Sequence, residues 1–374
     1  MAQQANVLIT GGAGFIGSHL ADELMRHGYR VRALDSLSPQ VHNSTSSRPS
    51  YLSSEVELMH GDLRSPDAVE RALKGIDAVY HFAAAVGVGQ SMYEIEKYMN
   101  INALGTAVLL EALTKKNIHR LIVASSMSIY GEGLYCAPDG SRCTPADRPV
   151  EQLKSGRWEI FDSAGQCLEP IATTEDARPS LTSVYALSKY AQERMCLMVG
   201  RAYKIPTVGL RFFNVYGPRQ ALSNPYTGVL AIFASRLLND HPPMIFEDGK
   251  QRRDFVSVYD VARACRLALE VPQAAGSVFN VGSGAPITIR EVAERMAQLL
   301  GRDEIEPQIT QRYRAGDVRH CFADITAARS CLGYRPEVSF ARGLEDLASW
   351  LEGQLADDRV ESASAELAAR GLTL

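Results

Sequence analysis

Val7-Leu8-Ile9-Thr10-Gly11-Gly12-Ala13-Gly14-Phe15-Ile16-Gly17 decides how this chain is read. A short apolar run ends in a glycine turn, and Phe15 to His27 then carries apolar residues at helical spacing up to Gly28. Strand, tight turn and helix follow one another directly. The glycines differ in what they allow. Gly11 permits the sharp turn, Gly14 lets the backbone approach a pyrophosphate, and Gly17 lets helix and strand pack closely. The helix N-terminus, at Phe15 and Ile16, then faces the phosphates. Asp35 ends the second strand, where a carboxylate accepts hydrogen bonds from both ribose hydroxyls of an adenosine and repels a phosphate. That favours NAD over NADP; nearby Arg32 is expected to point elsewhere. Asp62-Leu63, after the third strand, is placed to cap the adenine edge, or equally to cap the helix that starts at Ser65-Pro66.

Outward from this motif, apolar runs recur at Arg30 to Leu34, Glu57 to Met59, Ala78 to Phe82, Leu121 to Ala124 and Thr207 to Leu210, with helical patterns between most of them. Continuous apolar strands alternating with helices predict an α/β fold, a doubly wound parallel (Rossmann) sheet covered on both faces, with a smaller C-terminal α/β substrate domain. Residues 1–212 are expected to form the NAD-binding domain, rejoined by the chain at about 252–282. Residues 213–356 form mainly the substrate domain, with helices around Val229 to Leu238 and Ile289 to Leu300, and 357–374 is a tail read as a frayed helix. Two stretches break the rhythm. Ser36 to Ser54, rich in Ser, Pro and Asn, reads as a long surface loop. The segment 132–178 carries Pro and Gly without periodicity and is too long for a plain connection, so an ordered insertion or lid near the site is expected.

At 374 residues the chain exceeds the size at which single cores stop growing, roughly 250–300 residues. The formal net charge of −4 has the wrong sign for a general nucleic-acid binder. No apolar run has the length of a membrane span and the first residues lack a signal-peptide pattern, so neither nucleic acid nor membrane is expected as a partner and the cytoplasm is the expected compartment. Cys136, Cys143, Cys167, Cys196, Cys265, Cys321 and Cys331 make an odd set without Cys-x-x-Cys spacing, read as reduced thiols. The histidines are scattered without His-x-x-x-His pairs, so no metal site is expected and redox chemistry should come from an organic cofactor.

Tyr185-Ala186-Leu187-Ser188-Lys189 opens a helical pattern running to Tyr203, so the phenol and the ammonium share one face. A lysine cation and an oxidised nicotinamide ring both favour the phenolate, letting Tyr185 take a hydroxyl proton while hydride leaves the same carbon. Ser125-Ser126 follows the strand Leu121 to Ala124, at the carboxyl edge where parallel sheets bind ligands. There Ser126 can share the hydroxyl that Tyr185 deprotonates, or satisfy its own turn.

With these residues in view, the chain resembles the extended short-chain dehydrogenase/reductase family, specifically its NAD-dependent nucleotide-sugar epimerases and dehydratases. The resemblance spans nearly the whole chain and rests on Thr10 to Gly17, Asp35, Asp62-Leu63, His81-Phe82-Ala83-Ala84, Asn102 with Gly105-Thr106, Ser125-Ser126 with Tyr130-Gly131, Tyr185 with Lys189, Arg211 to Pro218, and Arg253-Asp254-Phe255. It implies that Ser126 is the partner of the substrate hydroxyl, Tyr185 the base, and Lys189 the holder of the nicotinamide ribose. By the same resemblance Phe82, Ala83, Ala84, Asn102 and Phe212 belong to the cofactor site. Asn214, Arg219, Arg253, Arg314 and Asp317 belong to the nucleotide-diphosphate sugar, guanidinium forks being suited to its phosphates. The family also implies a homodimer through the helical stretches Ser91 to Lys115 and Val184 to Tyr203, including Leu109, Leu110, Met195 and Leu197.

Relatives that eliminate water or carbon dioxide carry acidic residues between the catalytic Ser/Thr and the following Tyr-Gly; this chain has Met127-Ser128-Ile129. Elimination needs a second acid/base. A 4-epimerase working through a 4-keto intermediate is therefore expected, ahead of a dehydratase, a decarboxylase, a net dehydrogenase or a non-catalytic NAD sensor. Ala83 to Glu94 and the insertion look most like a branch that takes in dTDP-L-rhamnose 4-epimerases and UDP-glucose 4-epimerases. Members of that branch often carry cysteine pairs suggesting a zinc knuckle in the insertion, but Cys136, Cys143 and Cys167 are irregularly spaced and zinc is expected to be absent.

Overall fold

In the computed structural model, which describes residues 5–42, 47–222, 224, 226, 228–314, 317–352, 354, 358 and 360–373, seven parallel strands form the central sheet. Their order is Val278–Val281, Thr207–Phe212, Arg120–Ser126, Ala78–His81, Asn6–Thr10, Arg30–Asp35, Glu57–His60. The first strand lies between the second and fourth, so the sheet winds outward both ways from Asn6–Thr10. Ligands bind at such a switch point, beyond the carboxyl ends of the strands. Leu8, Ile9, Val79, Tyr80, Ile122 and Val123 are completely buried, which is why these strands read as unbroken apolar runs rather than alternating ones. The strand Val278–Val281 pairs with Thr207–Phe212, so the chain returns to this sheet after building much of the second lobe. The helix Val258–Glu270 also packs on the cofactor lobe, against Phe15–Arg26.

The second lobe gathers helices Val229–Leu238, Ile289–Leu299 and Phe340–Leu351 around Phe233, Val292, Met296 and Leu347. Beside them lies a small mixed sheet of Asn214–Tyr216, Arg252–Ser257, Pro286–Thr288 and His320–Cys321. Both helices expected from the pattern form, and Ile289–Leu299 starts with a reciprocal cap between Thr288 and Glu291.

Within the insertion, Leu134–Cys136 pairs antiparallel with Arg142–Cys143 and Glu169–Ile171, beside the short helix Val150–Lys154. Its apolar core is small: Tyr135, Ile160 and Leu168. Charge does the fastening. Arg319, fully buried in the second lobe, reaches Glu247 at 2.9 Å, Asp248 at 2.6 Å and the insertion's Glu159. The insertion's Arg148 returns the contact to Glu247 at 2.8 Å and to Glu132 at 3.4 Å, while Glu132 accepts from the backbone N–H groups of Arg319 and His320.

Two expectations need correction. The stretch Ser36 to Ser54 is not simply surface: a helical turn, Pro39–His42, and the buried Leu37 and Leu52 tie it down, while 43–46 lie outside the described residues. The tail is not a frayed helix. Val360–Ala369 forms a helix whose Ala363 and Leu367 are buried. All seven cysteines are free, and among the described residues no helix is long and apolar enough to cross a membrane.

Candidate active site

The glycine turn is built as a cradle. Gly11 has φ +71°, a Cβ on Gly12 would lie 2.6 Å from the Cβ of Ala33, and one on Gly17 would lie 2.4 Å from the carbonyl oxygen of Gly11. Gly14 precedes the helix Phe15–Arg26 without a side-chain cap, leaving the N–H groups at Phe15 and Ile16 free to meet an anion. Asp35 stands at the carboxyl end of its strand, accepting from the N–H groups of Ala13 and Leu37 at 3.0 and 2.9 Å. Arg32 is turned away, donating to Glu57 and to the carbonyls of Ala72 and Lys74, all at 2.8 Å. These residues fit a dinucleotide whose adenosine ribose carries no phosphate.

Other predicted cofactor residues divide. Phe82 meets Phe212 edge to face at 5.8 Å, and Phe82 and Ala83 donate their N–H groups to the Thr10 hydroxyl, placing all four at the switch point. Ala84 follows on the same partly buried turn. Leu63 is buried against Gly105. The Asp62 carboxylate is held by Arg64 at 2.6 Å, and Ser65, not Asp62, caps the following helix. Asn102 sits completely buried in a widened turn of helix, Met99–Leu104. Its amide bonds Ala85 N–H at 2.7 Å, Ala85 C=O at 3.1 Å and the Ser188 hydroxyl at 2.8 Å. It ties the 83–85 turn to the helix Val184–Tyr203.

Tyr185 lies in the first turn of Val184–Tyr203, capped by Ser183, and its N–H donates to Ser91. The end of Arg120–Ser126 delivers Ser126 beside its phenol; burial raises the phenol above its ordinary pKa and the neighbouring Ser126 hydroxyl works against that rise. Ser126 accepts from the Ser128 hydroxyl at 2.9 Å and the Ser128 N–H at 3.2 Å, so it serves its own turn while standing beside the tyrosine. The Lys189 ammonium donates to Gln192 at 2.9 Å, and burial lowers it to about 8, with Cys196 and Glu193 opposing.

Gln192 is the residue that sequence reasoning missed. Completely buried, it also donates to Thr106 and the Ala83 carbonyl and lies 3.1 Å from His81 Nε2, joining the lysine to Thr10-His81-Thr106 under the cofactor turn. Burial and then the Lys189 charge lower His81 to about 3, so it is a neutral link. The available signal was its spacing, three residues beyond Lys189 on the same helical face.

On the substrate side, Arg253 and Arg314 converge on Asp317, at 3.8 and 3.0 Å. Burial pushes the Asp317 carboxyl up, but Arg314, Arg253 and Arg148 outweigh it and hold it below its ordinary pKa. Ala315 and Gly316 between them lie outside the described residues. The Asn214 amide oxygen is buried without a partner, a poised acceptor. Arg219 is not with this group: it pairs with Asp22 of Phe15–Arg26 at 2.8 Å and lies 5.7 Å from the ring of Tyr51, whose hydroxyl bonds the Ala13 carbonyl beside the glycine turn. Among the described residues, no group of three or more His, Cys, Asp or Glu is gathered as for a metal ion.

Residues 7–152 and 159–282 match the model of the NAD dependent epimerase/dehydratase family. The chain belongs to that family. Its similarity to members runs almost end to end. It is 36% identical to the dTDP-L-rhamnose 4-epimerase of Burkholderia thailandensis, over 93% of this chain and 95% of that one. It is 32% identical to the UDP-glucose 4-epimerase of Mycolicibacterium smegmatis, over 90% and 95%. Among solved structures, the UDP-glucose 4-epimerase of Thermotoga maritima with UDP-glucose superposes with a TM-score of 0.76 at 31% identity, covering 93% of this chain and 99% of that one. The Rossmann lobe is thus that of an NAD-dependent epimerase/dehydratase.

Proposed function

We propose that this protein is an NAD-dependent nucleotide-sugar 4-epimerase acting on a dTDP- or UDP-linked hexose. One observation carries the choice of reaction: the turn that follows Ser126, Met127-Ser128-Ile129, brings no carboxylate beside the Tyr185 phenol to serve as the second acid/base of an elimination. Similarity to 4-epimerases of dTDP- and UDP-hexoses supports the substrate class.

NAD, when bound, would supply the hydride acceptor and donor. Phe82, Ala83 and Phe212 would line its channel, Gly11 to Gly17 and Asp35 would hold its adenosine diphosphate end, and Lys189 would hold the nicotinamide ribose. Ser126 orients the sugar's 4-hydroxyl, and Tyr185 takes its proton and gives it back after the 4-keto sugar has rotated. Asn214, Arg253 and Arg314, with Asp317 spacing the two guanidinium groups, grip the diphosphate while the sugar turns. Arg219, beside the glycine turn, serves the cofactor end.

The helices Met99–Leu104 and Val184–Tyr203 expose Leu104, Leu187 and Met198, although Leu109 and Leu110 face the core; these exposed side chains support a homodimer across this face. The site of action is the cytoplasm. Incubation with UDP-, dTDP- and GDP-hexoses without added reductant, followed by NMR of the anomeric signals, tests the reaction. An epimer is expected from one donor, with Tyr185→Phe slower by roughly 10²–10⁴-fold. A 4-keto-6-deoxy product or net NADH would replace this reading with a dehydratase or a dehydrogenase.

A further inference from the structure

We propose that the C-terminal segment Val360–Thr373 is a wall of the nucleotide-sugar site, holding the loops that contact the substrate and controlling its passage, rather than an appendage to the fold. The proposal rests on the assignment of Arg314 and the Ser126/Tyr185 centre to a nucleotide sugar, made above.

Both ends of the segment are anchored to the substrate lobe. At its start, Asp358 just before the helix and Glu361 in its first turn each meet the buried Arg236 guanidinium at 3.1 Å, on the helix Val229–Leu238. After it, Thr373 forms an antiparallel bridge with Arg314, itself stacked 4.5 Å from the ring of Phe246. Between these anchors the segment crosses to the cofactor lobe. Leu367 is buried against Gly89, where even a Cβ would come within 3.3 Å of it, and the Arg370 guanidinium lies 4.2 Å over the ring of Tyr93. The segment thus leaves one lobe, touches the other and returns to a predicted diphosphate ligand.

Its polar contact leads toward the reacting centre. The hydroxyls of Tyr93 and Tyr226, 2.6 Å apart, close a triangle on the Glu366 carboxylate at 3.2 and 3.1 Å, two protons serving three edges. Tyr226 backs the chain at Gly87, whose φ of +142° admits no side chain; a Cβ there would lie 3.0 Å from Tyr226 and 2.8 Å from the hydroxyl of Tyr98. Tyr98 in turn meets the catalytic Tyr185 edge to face at 6.4 Å. Tyr185, Tyr98, the Gly87 backbone, Tyr226 and Glu366 are therefore consecutive layers. A substrate leaving between the lobes must part the Glu366 triangle or the Thr373 bridge, and a 4-keto sugar that rotates in place gains from a closed wall because it is retained.

The test uses the full chain with its cofactor, a chain ending at Glu361, which keeps the Arg236 ion pairs, and the double variant Glu366→Ala/Leu367→Ala in case the truncated chain does not fold. Calorimetric binding of UDP and dTDP, steady-state kinetics with the donor that is turned over, and tryptic cleavage between Arg370 and Gly371 are the readouts. Both altered chains are expected to bind nucleotide roughly tenfold more weakly, with KM rising by a similar factor and kcat falling much less. In the full chain, saturating nucleotide sugar should slow cleavage at Arg370 severalfold. Unchanged Kd and KM, with cleavage indifferent to nucleotide, would overturn the wall and leave the epimerase standing. A full chain that binds neither nucleotide and epimerises no donor would overturn both.

Discussion

The cofactor lobe and the insertion are held together by different physics. Around Asn6–Thr10 the structure depends on apolar strands buried on both faces and on glycines where no Cβ fits, so its determinants are short and contiguous. The insertion has three fully buried apolar side chains at its centre and is fastened by Glu132, Arg148 and Glu159 to Glu247, Asp248 and Arg319, partners up to 187 residues away in the chain. Backbone geometry and apolar pattern build the first. Long-range charge pairing in a desolvated seam builds the second, and such pairs fail badly when one member is lost, because the other remains buried.

The two halves of that contrast can be broken separately. The largest effect on function is expected from Gly17→Val: its Cβ alone would stand 2.4 Å from the Gly11 carbonyl and 2.7 Å from Gly12 Cα, so the turn must leave the helix. Destabilisation at or above the roughly 1–3 kcal/mol usual for overpacking is expected, together with loss of retained NAD and of all turnover. A variant that keeps its NAD absorbance through gel filtration would show that close helix–strand contact is not what makes the cradle. Next comes Arg319→Ala, expected to cost about 3–5 kcal/mol in urea unfolding, toward the low end because Arg148 stays on Glu247. Proteolysis of 132–178 should precede that of the Rossmann lobe in this variant. Unfolding curves that overlay the parent's would mean that packing, not charge, holds the insertion.

The same contrast explains what the sequence disclosed. Gly11 to Gly17, Asp35, and Ser126 with Tyr185 were legible because each belongs to a local pattern whose geometry follows from strand, turn and helix. Lys189 was legible as a residue but not in its contact, since an i, i+4 spacing on a helix places it beside Tyr185 without saying that Gln192 takes its ammonium. Arg219 was grouped with Arg253 and Arg314 by residue type, whereas its partner Asp22 sits almost two hundred positions upstream. The tail was misread for a related reason: Ala-rich sequence gives little amphipathic signal, and Leu367 finds its place only because Gly89 leaves room. Neither the Arg219–Asp22 nor the Leu367–Gly89 pairing leaves a period in the sequence.

Lys189 also provides the smallest and most discriminating test, because it is a buried charge inside the apolar lobe whose ammonium donates to a neutral amide. Its folded pKa of about 8 lies below the unfolded value of 10.5, so burial penalises the protonated form. Below about pH 8 both folded and unfolded chains carry the proton and the penalty is complete. Between about 8 and 10.5 the folded chain releases it while the unfolded chain keeps it, so stability from this residue rises with pH. Lys189→Met removes the charge, and is expected to stabilise the fold at pH 7 by about 1–3 kcal/mol, the upper figure being the full shift and the lower allowing for the lost bond to Gln192. That gain should shrink toward zero by pH 10, while turnover at pH 7 falls about a hundredfold or more because the ribose and the phenol lose their cation. Paired urea titrations at pH 7 and pH 10 decide it: a stability difference independent of pH would mean that the lysine is not penalised by burial, and the apolar lobe would then be tolerating charge in the way the insertion does.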